Sequence, residues 1–106
     1  MPELKSVQKI LVYWRDIPAQ VIVKAGRKRA KAELSARFME SIDRAAMRAG
    51  KGSSSAYMED WRRETSRVES CEDMQAFADT EAHELEQRYT QEDLDALIRS
   101  KGLAET

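Results

Sequence analysis

The chain has 106 residues, 42% apolar and 35% charged, with a net charge of −1. That is enough for one small core, and more charge than the roughly 25% usual in soluble proteins. A single cysteine, Cys71, excludes an intrachain disulfide, and no apolar run approaches the ~20 residues of a membrane-spanning helix.

The net charge hides a division. Through Val68 there are 15 Lys and Arg against 8 Asp and Glu, a net of +7; from Glu69 onward there are 3 against 11, a net of −8. Such asymmetry means that the halves attract each other or that each meets a different partner. The apolar run Ile10 to Trp14 is shorter than the core of a secretory signal. The expectation is a cytoplasmic protein with no membrane contact.

In chain order, residues 1–7 read as a polar lead. Gln8 to Trp14, rich in Ile, Leu, Val and aromatics, predicts a strand. Arg15-Asp16-Ile17-Pro18 is a short connection in which Pro18 biases Ile17 away from helix. Ala19 to Ala25 predicts a second strand, and so short a link makes the pair an antiparallel hairpin over 8–25. Two strands leave two unpaired edges, which suggests a homodimer through this region.

Gly26 ends the hairpin, and three- and four-residue spacing of Leu34, Phe38, Ile42, Ala45 and Ala49 predicts a long helix over 28–49. Gly50 to Ser54 stops it. A helix over 55–68 follows, with Tyr57, Met58, Trp61, Thr65 and Val68 as its stripe. Ser70 is the expected cap of a helix over 71–88, striped by Met74, Phe77, Ala78, Ala82, Leu85 and Tyr89. Thr90 with Gln91-Glu92-Asp93 is a capping pattern for a last helix over 91–100, facing inward through Leu94, Leu97 and Ile98. Gly102 stops it, and 103–106 reads as a loose tail. The expected fold is α+β: one N-terminal β-hairpin packed with about four helices, a mainly helical single domain over 1–106, with Phe38 and Trp61 in its core.

Catalysis finds little support. His83 falls on the polar side of its helix, and Cys71 stands beside Glu72 and Asp73, whose charges oppose thiolate formation. One Cys and one His lack the spacing of a zinc site, and no phosphate-binding glycine loop is present. The expectation is a protein that is not an enzyme and holds no metal or cofactor. The basic cluster Arg27, Lys28, Arg29 and Lys31 is different. At a helix start, cations oppose the macrodipole by roughly 0.3–1 kcal/mol each. An anion bound there explains their presence, with Arg37 and Arg44 along the same flank and Arg15 nearby. The anion could be a phosphate, a nucleic-acid backbone or an acidic partner; the plain alternative is that the chain's own acidic half occupies the patch or that the patch is simply solvated.

The runs RDIPAQV (Arg15 to Val21), GRKRAK (Gly26 to Lys31) and DRAAMRAG (Asp43 to Gly50) resemble the small bacterial "virulence factor" domain family over Val12 to about Arg63. The resemblance carries no catalytic residues onto this chain. It implies an accessory or protein-interaction role, serving a methylfolate or corrinoid enzyme of one-carbon metabolism. The alternative is a phosphate- or nucleic-acid-binding module that uses the basic helix start.

Overall fold

A computed structural model describes residues 7–68 and 73–104. The expected cap Ser70, the Cys71 thiol, the lead before Val7 and the last two residues lie outside them. The described elements are β1 (Val7–Trp14), β2 (Ile17–Ala25), β3 (Lys28–Glu33), α1 (Ala36–Arg48), α2 (Ser54–Glu59), β4 (Trp61–Val68), α3 (Met74–Arg88) and α4 (Gln91–Arg99). The α+β class holds. The expected hairpin forms from β1 and β2, but as the middle of an antiparallel sheet ordered β3-β2-β1-β4.

Two stretches expected as helix are strand. Residues 28–33 continue the sheet, because Gly26, at φ +61°, and Arg27 make a two-residue turn and Ala25 pairs with Lys28. The helix expected over 28–49 therefore begins only at Ala36. The segment expected as helix over 55–68 splits into the short α2 and the strand β4, which runs in unbroken register along β1 from Val7↔Val68 to Trp14↔Trp61. Both hairpin edges are thus paired within the chain, which removes the bare-edge argument for a homodimer.

Ladder partners share a face, so the register sorts every strand residue. Val7, Leu11, Val21, Val23 and Ala32 face the helices and join Phe38, Ile42, Ala45, Ala78, Leu85 and Leu94 in the main core. α3 lies across β2 and β3, α1 reaches β2, and α4 packs on α1. Asp73 caps α3, accepting from the Ala76 amide at 3.0 Å, and Thr90 and Asp93 form the expected capping box of α4.

The hairpin tip is tied down from two sides. The Arg15 amide donates to the Asp60 carbonyl at 3.0 Å, and the Asp16 amide donates to the Gly102 carbonyl at 2.8 Å. Gly102 has φ +88°, and a Cβ there would lie 2.7 Å from the Trp14 ring. Gly102→Ala therefore combines left-handed backbone strain, about 1–2 kcal/mol, with overpacking against a buried indole. A loss of about 2–3 kcal/mol is expected in a urea melt. A neutral result would mean that the C-terminal turn does not sit on Trp14.

Candidate interaction surface

The seven basic residues singled out from sequence do not converge. Arg15 is structural: its guanidinium donates to the Asp60 carboxylate at 3.2 Å and the Lys101 carbonyl at 2.8 Å, and lies 5.1 Å from the Trp14 ring centre. Arg37 is structural as well. It donates to the backbone carbonyls of Glu86 and Tyr89, pairs with the Glu86 carboxylate at 3.3 Å, and lies over Phe38. Arg44 is exposed on α1, beside a shallow depression lined by Asp43, Met47, Arg48 and Ile98. Arg27 stands in the β2–β3 turn, and Lys28 shares the helix-side face with its partner Ala25. Arg29 and Lys31 point to the other face. The dipole argument for an anion site at a helix start is corrected, because these residues form a turn and a strand.

The structure assembles another group instead. On the sheet face opposite the helices, β1 contributes Gln8, Ile10 and Val12, and β2 contributes Gln20, Ile22 and Lys24. β3 contributes Arg29, Lys31 and Glu33, and β4 contributes Trp61, Arg63, Thr65 and Arg67. Ile10, Val12 and Ile22 form a small apolar cluster of their own, with Trp61 packed against it. Around it stand five exposed cations, Lys24, Arg29, Lys31, Arg63 and Arg67, against one acid, Glu33. Lys31 and Glu33 approach to 3.8 Å, and among the described residues no salt bridge involves the other four cations.

The acidic helices lie on the far side of the sheet. There Glu81 pairs with Lys9 at 2.9 Å and Glu86 with Arg37. The division of charge along the sequence is therefore partly neutralised inside the fold and partly displayed as a face. Lys24, Arg63 and Arg67 were not read from sequence as part of any site. The signal that finds them is period-two alternation in KRAKAE, where Ala30 and Ala32 turn to the helices and Arg29 and Lys31 do not, and its echo in WRRETSRV.

Titration reports the ties at the hairpin tip. Burial raises the Asp60 pKa, but hydrogen bonds and charge from Lys51 and Arg15 outweigh it and leave the group below its ordinary value. A carboxyl depressed in the folded state releases its proton more readily there than in the unfolded chain. Its contribution is present above the unfolded pKa of about 3.9 and is lost as pH falls through the lower folded value. Asp60→Asn should flatten the acid limb of stability below about pH 4; an unchanged acid limb would contradict the ties to Arg15 and Lys51.

Among the described residues no group of three or more His, Cys, Asp or Glu converges as a metal site, and no helix is long and apolar enough to cross a membrane. His83 is exposed.

Fold and surface together define an α+β protein with one basic sheet face opposite α1, α3 and α4. The chain belongs to the virulence factor family, whose model matches residues 12–98. No curated protein and no solved structure matches it. Two of the motifs that carried the resemblance have structural work: RDIP holds the hairpin tip, and DRAAMRAG supplies the buried Ala45 and Ala46 and ends α1 at Gly50, φ +74°.

Proposed function

We propose that the protein is a non-enzymatic interaction module that docks an acidic surface of a partner protein on the outer face of its sheet. The observation that carries this reading is the segregation of five exposed cations and one acid around the Ile10, Val12 and Ile22 cluster. Of the apolar groups on this face only Trp61 is partly open, and it stands among the charged residues as an aromatic does in the contact region of a protein interface. Ile10, Val12 and Ile22 are already buried beneath these charged residues, at 8–9% exposure, so it is the cations that steer an acidic partner and set its orientation. A nucleic-acid strand fits less well. Single-strand binders stack successive bases on several aromatics, and this face offers Trp61 alone. The family resemblance points to a methylfolate or corrinoid enzyme of one-carbon metabolism as the first partner to try.

The test compares fluorescent polyglutamate with an oligonucleotide of equal charge, using the parent and a variant with Lys24, Arg29, Lys31, Arg63 and Arg67 changed to Gln. The reading expects salt-sensitive binding of polyglutamate by the parent and its loss in the variant, with cooperative melting kept, since such exposed substitutions each stay within about 0.5 kcal/mol in either direction. Preference for the oligonucleotide with a steep salt slope would favour a nucleic-acid module. Equal binding by parent and variant would place the site elsewhere.

A further inference from the structure

The sheet has two edges, and they are treated differently. The Leu34 amide donates to the Ala19 carbonyl at 3.0 Å, which sets the phase of the β2–β3 ladder. With that phase, Arg29, Lys31 and Glu33 turn their N–H and C=O groups to the open side of β3. There α3 reaches over, and Gln75 donates to the Lys31 carbonyl at 3.0 Å. The β3 edge is thereby partly covered.

The β4 edge is not covered in this way. The bond from the Arg15 amide to the Asp60 carbonyl sets the phase of the β1–β4 ladder. Arg62, Glu64, Ser66 and Val68 bond β1, while Trp61, Arg63, Thr65 and Arg67 turn N–H and C=O outward. Among the described residues no side chain hydrogen-bonds these outward groups, and residues 63–67 are all exposed. β4 is eight residues long, contains no proline and pairs without a bulge. Short length, proline, bulges and covering elements are the usual protections of an edge. Among the described residues β4 has only its charges.

Those charges choose the occupant. Arg63 and Arg67 stand on one face, about 13 Å apart along the strand, and a second β4 laid against the first would bring arginines together. An acidic strand would bring carboxylates to them. Beside the start of β4, a cavity of about 300 Å³ opens between Val12, Gln20, Met58, Trp61 and Arg63. Val12, Met58 and Trp61 give it one apolar wall that suits a large apolar side chain, and Gln20, Arg62 and Arg63 make the rest of its lining polar.

We infer that the open edge of β4 takes an extended, acidic segment of the partner as a fifth strand, with an apolar side chain of that segment seated against Trp61 and Met58. This rests on the reading of the basic face above and adds its mode. Main-chain hydrogen bonds to Arg63, Thr65 and Arg67 supply the pairing, and the arginines select carboxylates.

The test uses the whole chain and a capped peptide of alternating glutamate and valine, matched in length to β4. Two control peptides carry the same charge but are N-methylated at alternate residues, one in each phase. Saturating peptide should slow hydrogen exchange at the Arg63, Thr65 and Arg67 amides. N-methylation in one phase should weaken binding about tenfold and in the other phase leave it. Thr65→Pro removes an outward N–H and no ladder bond to β1, so it should weaken the unmodified peptide about tenfold as well. If the peptide binds with the usual salt dependence but both N-methylated forms bind equally and the three amides exchange as before, the fifth strand is refuted and the charged face stands. If the peptide fails to bind at low salt, both readings fall. The peptide comparison decides the matter even should Thr65→Pro not fold.

Discussion

Replacing Trp14 with alanine should destabilise the protein by about 3–5 kcal/mol, the range for deleting a large aromatic from a packed core. Trp14 is fully buried, although its ladder position next to Trp61 assigns it to the outer face. It is enclosed because α2 and the C-terminal turn close over the end of the sheet. Its ring stacks on Tyr57 at 6.0 Å between centroids, its indole N–H donates to the Tyr57 carbonyl at 2.8 Å, and Gly102 lies against its edge. Removal opens a cavity where three segments meet and strips the Tyr57 carbonyl of its donor. In a protein of about 5–15 kcal/mol total stability, the melting midpoint should fall by more than about 10 °C. Trp14→Phe, which keeps most of the packing and loses the N–H, should cost clearly less. A loss below about 1 kcal/mol for the alanine variant would mean that α2 and the C-terminal turn do not close on this ring.

Phe38→Ala should be of the same size, about 3–5 kcal/mol. Phe38 is fully buried at the inner side of α1, with Tyr89 edge-on at 6.0 Å and the Arg37 guanidinium 4.6 Å from its centre. Arg37 itself is held by α3 through Glu86 and Tyr89, so the substitution also loosens the joint between α1 and α3. Trp61→Ala is the informative contrast. Trp61 is only half-buried and packs on the outer cluster and edge-on to Tyr57 at 5.8 Å. Its removal should cost measurably less than that of Phe38. Parallel calorimetric scans of the two variants check the order, and a larger loss at Trp61 would reverse the assignment of inner and outer faces.

The elements legible in the sequence were those whose local chemistry and tertiary role agree. The hairpin carries its β-branched runs around Pro18, the stripe Phe38, Ile42 and Ala45 has helical period, and Thr90 with Asp93 makes a cap that needs no tertiary help. The misread elements are those where the two disagree. KRAKAE consists of residues that favour helix, yet it follows a glycine turn that returns it along β2, and pairing outweighs propensity. WRRETSRV is polar on both faces, because as an edge strand it has little core to meet. It therefore shows no clean apolar alternation, and Glu59 and Asp60 ahead of Arg62, Arg63 and Arg67 imitate the charge order of a helix. These two misreadings hid the candidate surface. Read as helix starts and helix flanks, Arg29, Lys31, Arg63 and Arg67 belong to separate places; read as outward positions of β3 and β4, they frame one face with Lys24. Arg15 and Arg37 were charged residues close to the motifs, and only the fold shows that their donors are already spent on Asp60, Lys101, Glu86 and Tyr89.

The most direct measurement is an amide-resolved nuclear magnetic resonance titration of the whole chain with polyglutamate at low salt. If the basic sheet face is the docking surface, the largest shifts should fall on Lys24, Arg29, Lys31, Arg63 and Arg67 and on the Ile10, Val12 and Ile22 amides between them, and should collapse as salt rises. Shifts centred instead on Arg44 and Arg48 of α1, with the sheet face silent, would contradict the account.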